Sequence, residues 1–205
     1  MMPAPTVKIW DPIVRIGHWL LVIAFAVAYL TEDEALQAHV WAGYTIAAYI
    51  VVRVIWGLVG SPHARFSDFL FSPLKGLAYL ADLVRMRAPR YLGHSPAGAL
   101  MVFALLFALA GTVVTGVVEL AQSRGEGPLS LIVEQGATPS AMDEAAGERE
   151  ESAMMELHEL FANVTLILIA LHVAGVVLAS VAHKESLVLA MINGRKRANP
   201  DKGRT

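Results

Sequence analysis

The chain has 205 residues, of which 56% are hydrophobic and only 17% charged, with a mean hydropathy of +0.54. This composition is too apolar for a soluble domain and indicates a membrane protein, and a formal net charge of −2 does not favour nucleic-acid binding. The absence of cysteine excludes disulfides, iron–sulfur clusters and covalent c-type haem attachment. Any redox metal must therefore be held by histidine, carboxylate or methionine.

Four apolar stretches each come close to the roughly 20 residues that a membrane-spanning helix requires. We predict an all-α membrane protein, a bundle of four transmembrane helices in a single domain that covers residues 1–205. The first helix should not be a cleaved signal peptide, because Trp10, Asp11 and His18 interrupt its start and no small-residue cleavage motif is found. The predicted helices are 13–30, 39–60, 96–120 and 157–182.

The basic residues indicate an orientation. The amino terminus, the connection 61–95 and the tail 183–205 hold thirteen of the sixteen lysines and arginines. The two other connections, 31–38 and 121–156, are rich in glutamate and aspartate. By the positive-inside rule both termini are cytoplasmic and the acidic connections face outward. In a bacterium this predicts a multi-pass protein of the inner membrane with a long acidic periplasmic loop.

Four histidines lie at matched depths in this topology. His18, early in the first helix, is near the inner surface, and His39, at the start of the second, is near the outer surface. In the fourth helix His158 is near the outer surface and His172 follows fourteen positions later, about 21 Å deeper at 1.5 Å per residue. Fourteen residues make almost four turns, so both side chains leave on one face. Depth pairs His39 with His158 and His18 with His172.

An imidazole inside hydrocarbon requires a partner, and a haem iron is a strong one. Two axial histidines on facing helices commonly hold b-type haem. We therefore predict two b-type haems, an outer one held by His39 and His158 and an inner one held by His18 and His172. A single histidine near the headgroups is usually solvated, so it is the matched set of four that favours ligation.

Glycines and arginines near these histidines fit the same interpretation. Gly43 and Gly175 remove side chains from the face on which a flat macrocycle would lie, although glycine also serves helix packing in membranes. Arg53, fourteen positions after His39, lies at the depth of the inner haem, where a propionate would neutralise it. Arg15 precedes His18 by one turn and could likewise pair with a haem propionate. For both arginines the alternative is snorkelling to the headgroups.

The connection before the third helix has its own signals. Ser72-Pro73 predicts the start of a short helix in a segment that is re-entrant or interfacial. Ser95-Pro96 predicts a capped start of the third span, which carries no ligand and forms a wall of the site. His94 would lie at the cytoplasmic mouth beside the inner haem, suited to a quinone headgroup or a propionate. A capping loop packed on the bundle is the structural alternative.

Several of these residues together resemble a known family, the bacterial cytochrome b561 and nickel–iron hydrogenase b-type cytochromes. The resemblance covers nearly the whole chain except the outer loop, and Ser95 stands where the family often has asparagine. It implies a dihaem cytochrome of the respiratory chain that moves electrons between the quinone pool and a periplasmic partner, with the four histidines as ligands. The matching motifs are Trp10-Asp11-Pro12, Arg15, His18-Trp19, His39 with Arg53, Trp56-Gly57, Tyr91 to Pro96, His158 with His172, and Met191 to Lys196.

Electron transfer is the function that this ligand set favours, because two protein ligands on each iron leave no open position for a substrate. The expected partners are membrane lipid, quinone, and a basic periplasmic redox protein such as a c-type cytochrome, docked on the acidic loop. A hydrogenase or dehydrogenase could take the same place. Two alternatives stay open: a superoxide:quinone oxidoreductase, which would need a positively charged funnel outside, and a haem-free transporter or structural subunit.

Overall fold

The computed structural model describes residues 5–32, 34–133 and 153–198. Nearly all regular structure in these ranges is helical, and four helices are long and apolar enough to cross a membrane, which confirms the predicted all-α membrane class. In chain order the helices are α1 (Pro12–Leu30), α2 (Leu36–Val59), α3 (Pro73–Val84), α4 (Pro96–Arg124), α5 (Ala153–His183) and α6 (Leu187–Asn193). The spanning helices are α1, α2, α4 and α5.

The spanning helices extend past the ends that hydropathy predicts. Helix α2 begins at Leu36 rather than at residue 39, α4 continues to Arg124, and α5 already begins at Ala153. Hydropathy marks only the part of a helix that lies in hydrocarbon, whereas backbone hydrogen bonding continues into the polar flanks. The acidic connection predicted at 121–156 is therefore shorter, and most of its carboxylates, in 134–152, lie outside the described residues.

The described residues fall into two compact units. Those within Met1–Leu105 and Leu168–Thr205 form one, and those within Leu106–Ile167 form the other. The first unit includes the predicted ligands His18, His39 and His172, and the second includes His158. The assignment of the whole chain to one domain stays a prediction.

Asp11 joins the start of α1 to the end of α2. Its carboxylate caps α1 by accepting a hydrogen bond from the Val14 amide at 3.0 Å. It also accepts one from the indole nitrogen of Trp56 at 3.0 Å and one from the hydroxyl of Ser61. Burial raises the pKa of Asp11, but the hydrogen bonds from Ser61 and Trp56 and from backbone amides outweigh this effect and lower the pKa below 3.8.

The two ends of the described chain pair with each other. Strand β1 (Thr6–Lys8) and strand β2 (Arg195–Arg197) form an antiparallel two-stranded sheet. Gly194, with a φ of +78°, ends α6 in the left-handed conformation that directs the chain into β2. We did not predict this sheet, because strands of three residues are too short to show an alternating pattern. It places the two ends of the described chain side by side, and the side of the membrane that they face stays a prediction.

The predicted short helix and the predicted capped start of the third span are both confirmed. The Ser72 hydroxyl accepts a hydrogen bond from the Lys75 amide at the start of α3, and the Ser95 hydroxyl accepts one from the Gly98 amide at the start of α4. Helix α3 packs against the first turns of α4 through Gly76. A methyl group at Gly76 would lie 3.2 Å from the Pro96 carbonyl and from the Leu100 side chain.

We expect Asp11→Ala to destabilise the protein by about 2–4 kcal/mol, because it removes a helix cap and leaves the polar hydrogens of Trp56 and Ser61 without their acceptor. Asp11→Asn keeps one of the two acceptor oxygens and should cost less than Asp11→Ala. Thermal unfolding in detergent, with both variants beside the parent, measures the effect. Equal losses for the two variants would contradict this account, because asparagine can still accept at one oxygen.

Candidate functional site

His18 on α1 and His172 on α5 lie opposite each other within the first unit. Their ring centroids are 6.4 Å apart and the ring planes are inclined by 55°. A metal–imidazole bond is about 2 Å long and the ring centre lies about 1 Å behind the nitrogen, so two imidazoles on opposite sides of one metal have centroids roughly 6 Å apart. The structure thus brings this predicted pair to the spacing that two axial ligands require.

The surroundings of His18 are built by close helix packing. A methyl group at Gly17 would overlap the ring of Tyr49, so only glycine allows α1 and α2 to approach each other at this level. The Nδ1 atom of His18 is buried and has no hydrogen-bond partner. An unpartnered buried polar atom costs about 1–3 kcal/mol, so the position of this ring in the described structure has an energetic cost.

Arg15 and Arg53, in the same unit, each have a side-chain nitrogen that is buried without a hydrogen-bond partner. Arg53 is only 6% exposed, its guanidinium lies over the Phe66 ring at 4.7 Å, and its Nη1 has no hydrogen-bond partner. Arg15 donates one hydrogen bond to the Ile192 carbonyl, whereas its Nε is buried without a partner. Arg53 is therefore enclosed and not extended towards headgroups. Both guanidiniums fit the carboxylates of haem propionates, the role predicted for them.

His39 is oriented by α1. Its Nδ1 lies 2.8 Å from the Ala28 carbonyl oxygen, close to the end of that helix. A carbonyl can only accept, so Nδ1 carries the proton and the ring lone pair lies on Nε2. Histidines that bind metals commonly have this arrangement, because the backbone carbonyl fixes both the tautomer and the ring plane.

His158 has an equivalent partner on α4, within the second unit. Its Nδ1 lies 2.9 Å from the Thr112 carbonyl oxygen and 3.4 Å from the Thr115 hydroxyl. A methyl group at Gly116 would come within 2.9 Å of the same nitrogen, so this glycine leaves room for the ring. The third span thus carries no predicted ligand but orients one, with its lone pair on Nε2.

The glycines predicted to face a macrocycle do not serve close packing within the described residues. A methyl group added at Gly43 or at Gly175 would meet no atom within 4 Å. Gly17 and Gly116, in contrast, are in tight contact with a neighbouring ring. Gly43 and Gly175 are therefore placed where a flat group can approach the helix, and their contact with haem stays a prediction.

His94 is held between two aromatic rings. Its centroid lies 4.7 Å from that of Trp10 and 4.1 Å from that of Phe69, and its Nδ1 is buried without a partner. Burial, followed by the positive charges of Arg53 and Lys196, lowers the pKa of His94 from 6.5 to about 3. His94 is therefore a neutral imidazole near physiological pH.

A cavity of about 430 Å³ opens beside His94. Its lining combines the aromatic rings of Phe69, Phe71 and Tyr91 with polar groups of His63 and Arg90. The backbone of His63 has a φ of +70°, which is uncommon for a residue with a side chain. Asp68 also lines the cavity, whose volume lies within the range of small-molecule sites.

Comparison with known proteins identifies the family. The profile described as Prokaryotic cytochrome b561 matches residues 9–194. The chain belongs to the prokaryotic cytochrome b561 family. It is therefore a b-type cytochrome, a multi-pass membrane protein that carries haem b and transfers electrons, as the resemblance implied. This b561-family chain matches no solved structure significantly.

Curated relatives bear a more specific name. The b561-family chain is 22% identical to a probable Ni/Fe-hydrogenase B-type cytochrome subunit of Rhodobacter capsulatus, over 96% of this chain and 84% of the relative. It is 29% identical to the protein of that name from Azotobacter chroococcum, over 59% and 62%, and 26% identical to the one from Azotobacter vinelandii, over 58% and 61%. The chain thus spans about three fifths of the length of these last two relatives.

Several residues of the b561-family site escaped the sequence analysis. Thr112, Thr115 and Gly116 stand at helical spacing on one face of an apolar span, and this signal could have pointed to a ligand partner. The contacts of Trp10 and Phe69 with His94 join distant segments and leave no local pattern. His39 and His158 belong to different units, so their pairing stays a prediction, as do all four ligand assignments.

We expect acid to destabilise this b561-family protein through His94. The unfolded chain begins to bind a proton there below pH 6.5, whereas the folded protein stays neutral until about pH 3, so stability falls as the pH drops between these values. The loss at pH 5 is about 2 kcal/mol. Thermal unfolding against pH should show a flatter slope for His94→Phe, which keeps a ring between Trp10 and Phe69. The same slope in parent and variant would contradict the assignment.

Proposed function

We propose that this b-type cytochrome holds two haems and carries electrons across the membrane between the quinone pool and a periplasmic redox protein. The observation that carries the proposal is the spacing of His18 and His172, 6.4 Å between ring centroids. With the unpartnered nitrogens of Arg15 and Arg53 in the same unit, it supports an inner haem held by two imidazoles and two guanidiniums.

The outer haem is proposed on His39 and His158. Each ring has its Nδ1 against a backbone carbonyl, Ala28 for one and Thr112 for the other. In both imidazoles the ring lone pair is therefore on Nε2, the tautomer that suits an iron ligand. His158 and His172 are also fourteen positions apart on α5, about 21 Å along the helix. This spacing supports two haems at different depths.

The protein residues determine what chemistry is possible. Haem b, when bound, supplies a one-electron iron couple. With two histidines bound to each iron, dioxygen and other small molecules would find no coordination site. Arg15 and Arg53 would hold the propionates and compensate their charge inside the membrane. These residues favour electron transfer over oxygen chemistry.

Quinone is proposed to react near the inner haem, in the cavity beside His94. Phe69 and Phe71 can stack on a quinone ring, and the buried Nδ1 of neutral His94 can hydrogen-bond to a quinone oxygen. A quinone oxygen would thus give the Nδ1 of His94 the hydrogen-bond partner that this atom lacks in the described structure.

The partner is proposed to dock on the opposite, periplasmic side, and both termini to face the cytoplasm of a bacterium. The distribution of basic residues supports this orientation in the inner membrane. The relatives named as hydrogenase subunits favour a nickel–iron hydrogenase as the partner, with a basic c-type cytochrome as the other candidate. Acidic residues of the outer connections, such as Glu32 and Glu34, would attract a basic protein.

The haem count and the pairing can be tested together. A pyridine haemochrome assay should give two haems b per chain, both low-spin. His18→Ala or His172→Ala should remove one spectral component, and His39→Ala or His158→Ala the other, whereas His63→Ala should leave both. One haem per chain, or loss of the same component in the His18 and His39 variants, would overturn the proposal.

Partner docking should depend on ionic strength. If the outer carboxylates steer a basic redox protein, its association should slow as salt screens the charges over about 10 Å at 0.1 M. Stopped-flow reduction measures the rate. Changing Glu32, Asp33 and Glu34 and the carboxylates of 143–151 to amides should lower the rate and flatten its salt dependence, with haem content unchanged. An association rate that depends neither on salt nor on these substitutions would show that the acidic loop is only a solvated connection and not a docking surface.

A further inference from the structure

Helix α3 presents a row of large apolar side chains that remain substantially exposed in the described protein. Leu74, Leu77, Leu80 and Val84 are 77%, 56%, 44% and 65% exposed. At 100° per residue they occupy one third of the helix circumference. A row of this kind on a helix of twelve residues would be costly in water, at about 25 cal/mol for each Å² of apolar surface.

The other two faces of α3 have different surroundings. Gly76, Tyr79 and Leu83 are buried against the protein. Lys75 and Asp82 are exposed and lie on the side away from the apolar row. Helix α3 therefore has three faces: one buried against the protein, one polar and exposed, and one apolar and exposed on the side away from the polar face. This is the pattern of a helix that lies in a membrane surface.

The depth of α3 agrees with this pattern. Gly76 rests against the Pro96 carbonyl and the Leu100 side chain, so α3 lies beside the first turns of the spanning helix α4. Twelve residues make a helix of about 18 Å, too short to cross a hydrocarbon core of about 30 Å. Helix α3 is therefore a short helix beside the end of a span, which is where an interfacial helix would lie.

The positive charges near α3 favour contact with anionic lipids. Arg85 and Arg87 follow the helix directly, and both are exposed, as is Lys75 within it. Asp82 is the one acidic residue between 73 and 87. Basic side chains at this level attract phosphates of anionic lipids, at about 1 kcal/mol for each Lys or Arg.

We propose that α3 is an interfacial anchor whose apolar row inserts between acyl chains while Lys75, Arg85 and Arg87 bind the phosphates of anionic lipid headgroups. This anchor holds the connection between α2 and α4, and with it Phe69, Phe71 and His94, at a fixed depth. The inference does not depend on the haem or quinone assignments.

Because the chain has no cysteine, one engineered thiol gives a single labelling site. The holoprotein carrying Leu77→Cys or Asp82→Cys is labelled with a nitroxide and reconstituted into vesicles of phosphatidylcholine and phosphatidylglycerol. The label at 77 should collide with oxygen dissolved in the bilayer, and the label at 82 with a water-soluble nickel chelate. Equal access of the chelate to both labels would overturn the anchor. A label at 77 that is closed to both reagents would show a second protein copy on this face, which also overturns it.

The choice of lipid is tested with a fluorophore at Asp82→Cys. Energy transfer to labelled phosphatidylglycerol should exceed transfer to labelled phosphatidylcholine in the same vesicles. Arg85→Gln with Arg87→Gln should reduce this ratio by about threefold or more. Lys8→Gln with Arg195→Gln removes the same charge from the exposed strand pair and should leave the ratio unchanged. Equal transfer to both lipids, or the same reduction in both double variants, would overturn the phosphate site.

Discussion

A polar group inside hydrocarbon must have a hydrogen-bond partner or a ligand, because no water is present to replace one. The spanning helices satisfy most of their polar side chains internally. His39 and His158 bond to backbone carbonyls of neighbouring helices, and the buried hydroxyl of Thr165 bonds to the carbonyl of Phe161. Among the described residues of the spans, the side-chain nitrogens buried without a hydrogen-bond partner belong to Arg15, His18 and Arg53. Carboxylates such as those of haem propionates would satisfy the two guanidiniums.

A second set of interactions links the end of α5 to the connection before α4 and to β2. Arg90 forms a two-pronged ion pair with the nearly buried Glu185, at 2.8 and 2.9 Å. Glu185 also accepts a hydrogen bond from the Arg197 amide, which fixes β2 to the end of α5. The pKa of Glu185 is lowered by these bonds in spite of its burial. The Arg90–Glu185 ion pair therefore links distant segments of the first unit at a place where water still has partial access.

The sequence predicted the features that depend on local pattern. Hydropathy located the four spans, the serine–proline pairs located the starts of α3 and α4, and helical spacing with charge asymmetry paired His18 with His172. Contacts between distant segments were not predictable. Nothing in residues 6–8 indicates a strand until 195–197 lies beside it, and no periodicity relates Trp10 to His94. Helix ends were misplaced by a few residues because hydropathy stops where hydrocarbon stops.

The pairing of β1 with β2 has a consequence for the order of biosynthesis. Strand β2 is translated after the four described spanning helices, yet its Lys196 is only 7% exposed and donates a hydrogen bond to the Tyr91 carbonyl beside His94. Residues 6–8 therefore gain their strand partner, residues 195–197, only after α1 to α6 have been translated. Closure of this sheet is a late step of assembly, and it brings Lys196 beside the segment that carries His94.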